Sequence, residues 1–176
     1  MRILVVADTW GARVPLRSTI EYEKCDRIIF LGDYVSDLES LGVKGVPPFV
    51  VRGECDSFHN RPFEIMTTIC GFTFYMVNGY LQNVKQEGLK KLQAFADERP
   101  FDIILYGCTK RPKAEMYNGK TLFLTPGSFG RPEKGERCNY AIITVDENHF
   151  DYEFKQYELD RFYEQHEESI WKKRKW

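Results

Sequence analysis

A chain of 176 residues with 43% apolar side chains is the size of one globular domain. Such a domain buries about 70% of its unfolded surface and needs no disulfide or metal to fold. A net charge of −1 excludes a general nucleic-acid binder, 15% aromatic content excludes a disordered chain, and only three histidines (His59, His149, His166) exclude a histidine-rich metal cluster.

The apolar run at the start of the chain ends at Asp8, too early for a signal-peptide core, and reads as a buried strand over residues 3–7. The longest later apolar run, residues 140–145, is far below the roughly 20 residues needed to cross a bilayer. A soluble, cytoplasmic protein without a transmembrane segment is expected. The five cysteines are odd in number, widely spaced and lack a CxxC pair, as reduced and mostly buried thiols would be.

A helix over 15–24 follows, then a strand over 27–31, a short helix over 36–41 ended by Gly42, and a strand over 49–51 after Pro47-Pro48. Strands alternating with helices predict parallel pairing through crossover connections. Residues 63–70 and 72–77 form two extended runs joined at Gly71, a hairpin spacing. Leu89, Leu92, Phe95 and Ala96 share one face of a helix over 87–98. A buried strand over 102–106 comes next. Asn118-Gly119 joins strands over 113–117 and 121–125, and a further pair covers 139–145 and 150–155. Residues 158–171 carry Leu159, Phe162, Tyr163, His166 and Ile170 at helical spacing. The expected fold is α/β, two sheets packed face to face with helices outside. The division is a domain over residues 1–155 and a C-terminal helical extension over 156–176 with a basic end.

Acidic residues recur where predicted strands end: Asp8, then Asp33 after Gly32, then Glu54 and Asp56 after Gly53. The carboxyl ends of strands form the ligand crevice of α/β sheets, and a glycine before an acid lets the backbone turn sharply. Asp and Glu also favour turns and helix caps for purely structural reasons, but three acid-bearing turns in succession point to a site.

The stretches Asp8-Thr9-Trp10, Gly32-Asp33, Gly53-Glu54-Cys55-Asp56, Asn78-Gly79-Tyr80, Gly107-Cys108-Thr109-Lys110 and Thr125-Pro126-Gly127-Ser128 follow one another in a telling order. In order and spacing they resemble the motifs of the calcineurin-like metallophosphoesterases, small single-domain phosphodiesterase branch. The resemblance implies an αββα sandwich of two mixed sheets with two metal ions at one end. Such a pair of ions generates a bridging hydroxide and stabilises in-line displacement at phosphorus.

Carried over by position, the resemblance assigns the first ion to Asp8, Trp10, Asp33 and Lys110, and the second to Asp33, Glu54, Asn78 and Cys108, with Asp33 between them. Asp8, Asp33, Glu54 and Asp56 are the remnant catalytic positions. The family's metal-binding histidines are replaced by Trp10, Asn78, Cys108 and Lys110. An indole offers only an N–H donor and an ammonium no acceptor, so the first site is expected to bind no metal. Lys110 either pairs with Asp8 and Asp33 in the ion's place or points to solvent. Asp33, Glu54, Asn78 and Cys108 either hold one divalent cation (Mn, Mg or Zn) or line an empty pocket.

Trp10, Lys110 and Arg131 are candidate ligand-binding residues, suited to holding a phosphate and stacking a base. His59, three residues after Asp56, either reaches the cleft or sits in an exposed loop. The expected function is a catalytically silent binding or scaffold protein, for a protein partner or a small phosphate-containing ligand. The resemblance supplies a precedent, since the same fold serves as a non-enzymatic scaffold subunit of an endosomal coat complex. The alternative is an altered phosphodiesterase or phosphatase with one retained metal.

Overall fold

The computed structural model of the chain describes residues 1–157. The predicted C-terminal helix, its basic end and His166 lie outside the described residues. The elements run β1 (Arg2–Val6), α1 (Arg13–Glu23), β2 (Arg27–Phe30), α2 (Val35–Ser40), β3 (Pro48–Val50), β4 (Glu64–Ile69), β5 (Phe72–Val77), α3 (Val84–Glu87), α4 (Lys90–Glu98), β6 (Ile103–Tyr106), β7 (Pro112–Tyr117), β8 (Thr121–Pro126), β9 (Asn139–Val145) and β10 (Phe150–Gln156).

Two five-stranded mixed sheets result, in the orders β10-β9-β1-β2-β3 and β4-β5-β6-β8-β7. The continuous apolar runs sit where a parallel strand covered on both faces requires them. Ile3 to Val6 of β1 are all buried, with β2 parallel on one side in the register Ile3↔Arg27 and β9 antiparallel on the other. In the second sheet β5, β6 and β8 are parallel. The hairpins β4–β5 and β7–β8 turn through Cys70-Gly71 and Asn118-Gly119, residue pairs with positive φ throughout, which matches a type I′ turn to strand twist.

Alternation along each strand builds three apolar layers. Ile3, Val5 and Ile29 face Phe74, Met76, Ile103, Leu105 and Leu124 between the sheets. Leu4, Val6, Ile28 and Phe30 turn outward to Leu16 of α1 and Leu38 of α2. Tyr75, Ile104 and Phe123 turn outward to Val84 of α3 and Leu92 of α4. The molecule is the expected αββα sandwich.

The helix predicted over 87–98 is α4, which starts only at Lys90, because Gly88 takes φ 67° and ψ −149° and closes the preceding short helix α3, which the apolar spacing does not mark. Glu23 at the end of α1 is buried and ties the first sheet together. It accepts hydrogen bonds from Tyr140 Oη at 2.7 Å, Lys155 Nζ at 2.9 Å and Arg2 at 3.0 Å. Burial alone would raise its pKa, but these donors outweigh it and hold the carboxyl below the usual range.

Candidate functional site

The parallel strands of both sheets point their carboxyl ends at one edge, where the acid-bearing turns interlock. The Asp8 N–H donates to the Gly32 carbonyl at 2.6 Å, and the Asp33 N–H donates to Asp8 Oδ1 at 3.2 Å. The Cys55 N–H donates to Asp33 Oδ1 at 3.0 Å. Gly53 is required by this approach: a Cβ there would stand 1.8 Å from Asp33 Oδ1 and 2.7 Å from Asn78 Nδ2. The glycine preceding the third acid turn therefore serves close packing against the second.

Asp8 and Asp33 are both buried. Burial, then the charge of Asp33, pushes the Asp8 carboxyl up to about 7, against the Asp33 N–H, Lys110 and Lys85. Burial likewise raises Asp33, against the hydrogen bond from Cys55. From the second sheet, Asn78 after β5 donates its Nδ2 to the Leu31 carbonyl at 2.7 Å. That bond fixes the amide with Oδ1 buried and without a hydrogen-bond partner. Cys108 after β6 is also buried, with φ 53°, and burial pushes its thiol up to about 12.

Above this floor sits Trp10, at φ 49°. Its ring packs against Tyr34 at 4.6 Å between centroids. The Arg131 guanidinium lies over it at 4.6 Å and the Lys110 ammonium at 5.4 Å. Lys110 Nζ stands 3.9 Å from Asp8 Oδ2, so of its two expected partners it pairs with Asp8. Arg131 is set by the loop after β8: the Ser128 hydroxyl donates to the Asp8 carbonyl at 3.3 Å and accepts the Arg131 N–H at 3.1 Å. Gly130 touches Thr9 so closely that a Cβ would lie 1.7 Å from the Thr9 carbonyl oxygen.

The structure thus brings Asp8, Trp10, Asp33, Asn78, Cys108, Lys110 and Arg131 to one edge of the sandwich. Asp56 is buried close by, with both carboxylate oxygens committed to backbone: Val35 N–H at 2.8 Å and Gly53 N–H at 2.9 Å. Glu54 is exposed. His59 pairs with Glu39 of α2, Nδ1 to Oε2 at 3.3 Å, and His149 sits exposed in the β9–β10 turn.

Three contributors escaped the sequence reading. Buried Asp37 accepts from Thr9 Oγ1 and the Gly11 N–H, both at 2.7 Å, and from Arg13 Nε at 2.8 Å, and so shapes the loop that carries Trp10. Lys85 of α3 adds positive charge felt by Asp8, Asp33 and Cys108. Tyr34 supports the Trp10 ring. The acid in the first turn of a helix was the available signal for Asp37; ring packing and through-space charge leave no local pattern.

The donor chemistry decides what this edge can hold. Among the described residues no group of three or more His, Cys, Asp or Glu side chains is placed to hold a metal ion. At the first ion's position an ammonium and an indole stand where lone-pair donors would be needed, so a two-ion centre does not fit. Asp33 and the free Asn78 Oδ1 are oxygen donors suited to a hard cation, and they are the part of the second set that the geometry presents inward.

Comparison with known proteins accords with this architecture. Residues 1–148 match the calcineurin-like phosphoesterase superfamily domain. The chain is 28% identical over 148 residues to the probable metallophosphoesterase YsnB of Bacillus subtilis (strain 168), covering 83% of this chain and 85% of that protein. Among solved structures it is similar to a predicted phosphoesterase from Streptococcus pneumoniae TIGR4, with a TM-score of 0.68, 24% identity and 88% of each chain covered. It is also similar to vacuolar protein sorting 29 from Cryptosporidium parvum, with a TM-score of 0.66, 17% identity, and 88% of this chain and 96% of that one covered. Among the described residues no helix is long and apolar enough to cross a membrane. Through the match over residues 1–148 and the two-sheet sandwich that carries it, the chain belongs to the calcineurin-like phosphoesterase superfamily.

Proposed function

We propose that this chain uses the phosphoesterase fold for binding and does not run two-metal hydrolysis. The observation that carries the reading is the Lys110 ammonium 3.9 Å from Asp8. A positive charge of the protein's own occupies the neighbourhood that the family gives to a positive ion, and Trp10 covers the same floor. Two like charges 4 Å apart repel by about 4 kcal/mol at an effective dielectric of 20, so a divalent ion beside Lys110 is opposed. The likeness to vacuolar protein sorting 29 is consistent with a binding or scaffold role for the fold.

A second reading, one retained divalent cation serving an altered phosphodiesterase, draws on a specific observation: the buried Asn78 Oδ1 has no hydrogen-bond partner, on a side chain whose Nδ2 crowds Gly53 together with Asp33. Against it stands the exposure of Glu54. Hydrolysis of bis(p-nitrophenyl) phosphate with added Mn by the full chain and by Asp33→Asn separates the readings. Binding without hydrolysis predicts equal background rates for both proteins. Mn-dependent turnover that disappears in Asp33→Asn establishes the second reading instead.

A further inference from the structure

Strand β10 has two unlike faces. Glu153 and Lys155 turn outward to α1, where Lys155 Nζ meets Glu23 at 2.9 Å and Glu153 at 3.5 Å. Phe150, Tyr152 and Phe154 share the other face by the two-residue alternation of a strand. Register makes that face continuous with the core: Tyr152 lies opposite Ile143 and Phe154 opposite Ala141, and both of those residues are buried between the sheets. At Phe150 the core is closed, its ring meeting Phe72 of β5 edge-on at 5.1 Å. Farther along the strand it is open. Tyr152 and Phe154 pack on each other at 5.7 Å, yet they remain 38% and 37% exposed. β10 is an edge strand of its sheet, and paired aromatic rings left open on such a strand mark a surface that is covered.

We infer that residues 158–171 of the same chain fold back as a helix along β10 and cover Tyr152 and Phe154. The sequence of the segment supplies the matching face. Leu159, Phe162, Tyr163, His166 and Ile170 recur at helical spacing, with Asp160, Glu164, Glu167 and Glu168 between them. A helix of this length is marginal in water by itself, so its apolar stripe needs a surface to pack on. The starting point is fixed: the Tyr157 N–H donates to the Cys138 carbonyl at 3.0 Å, and the Tyr157 ring packs on Phe129 at 5.9 Å. From there a helix over 158–171 reaches about 21 Å, and the seven residues of β10 span about 23 Å. Running antiparallel to β10, the helix ends where the strand begins. Charge selects that direction. Lys172, Lys173, Arg174 and Lys175 follow the helix, and Asp146, Glu147 and Asp151 are exposed at the start of β10. A course away from the sandwich leaves the apolar stripe in water and brings these charges to no complement.

Hydrogen–deuterium exchange of the full chain tests the docking, read by mass spectrometry on peptides from 158–171 where sedimentation reports a monomer. Protection of those amides is expected. Tyr152→Ser combined with Phe154→Ser, at exposed positions whose folding is checked by circular dichroism, should speed their exchange about tenfold or more, because burying one aromatic ring is worth at least that factor. Protection of β1 and β6 should not change. Ile170→Asp should speed exchange in the same way from the other side of the contact. Glu147→Lys combined with Asp151→Lys should speed it at low salt and have little effect at high salt. Exchange of 158–171 at the unstructured rate in the wild type overturns the docking. Protection that survives the serine pair also overturns it, since the helix then packs on another surface. An unchanged rate in the lysine pair at low salt overturns the antiparallel course. Protection found only in a dimer gives the face to a second copy and overturns the docking within one chain.

Discussion

Asp8 shows how far a single side chain has been pushed from its ordinary behaviour. Burial and the neighbouring Asp33 raise its pKa from 3.8 to about 7, although Lys110 and Lys85 pull the other way. The unfolded chain therefore releases this proton near pH 4, while the folded protein holds it until near neutrality. Between those values the folded state binds more protons, so stability falls as pH rises and levels off above pH 7. With three units of difference at about 1.36 kcal/mol per unit, the loss is about 4 kcal/mol. Asp8→Asn keeps an oxygen for the Asp33 N–H and removes the titration. In metal-free urea denaturation the variant should match the wild type near pH 4 and exceed it by about 4 kcal/mol at pH 8. An unchanged gap across that range would show that Asp8 is not held protonated by the fold.

At the scale of elements, the turns after β1, β2 and β3 form one interlocked unit. Gly53 after β3 is the closest point of that unit, since a methyl group there would collide with Asp33 Oδ1 at 1.8 Å. Gly53→Ala is expected to cost about 3 kcal/mol by overpacking and to displace the Cys55 N–H from Asp33. Gly135→Ala, at φ 89° but with nothing within 4 Å of its Cβ, should cost only the backbone term of about 1 kcal/mol. Equal losses in chemical denaturation would mean that the packing of the three turns contributes nothing. The pair of short helices α3 and α4 belongs to the same scale. Gly88 closes α3 ahead of the helix that apolar spacing marks, and α3 carries Lys85 beside the site.

Across the whole molecule, the sandwich was legible because its information is local. The run Ile3 to Val6, the hairpin pair Asn118-Gly119 and the glycine-acid turns each carry their conformation in a few adjacent residues. The turns that bring Asp8 and Asp33 together were legible for the same reason. What the sequence left open was which side chains meet. Lys110 had two candidate partners and takes Asp8. Asp56 had a catalytic position by motif and spends both oxygens on backbone. Asp37, read only as part of a helix start, braces the Trp10 loop through contacts 24 to 28 residues away in sequence. Such pairings depend on how two sheets align, and no local pattern encodes that alignment.

The proposed binding role requires that Lys110 and Trp10 stand where the family holds a metal ion. Metal stoichiometry tests it most directly: the full chain is dialysed against Mn and Zn at saturating concentration, and bound metal per chain is measured by mass spectrometry. The structure predicts fewer than two ions per chain, with none lost on Asp8→Asn. Two bound ions per chain, one of them removed by Asp8→Asn, would contradict it.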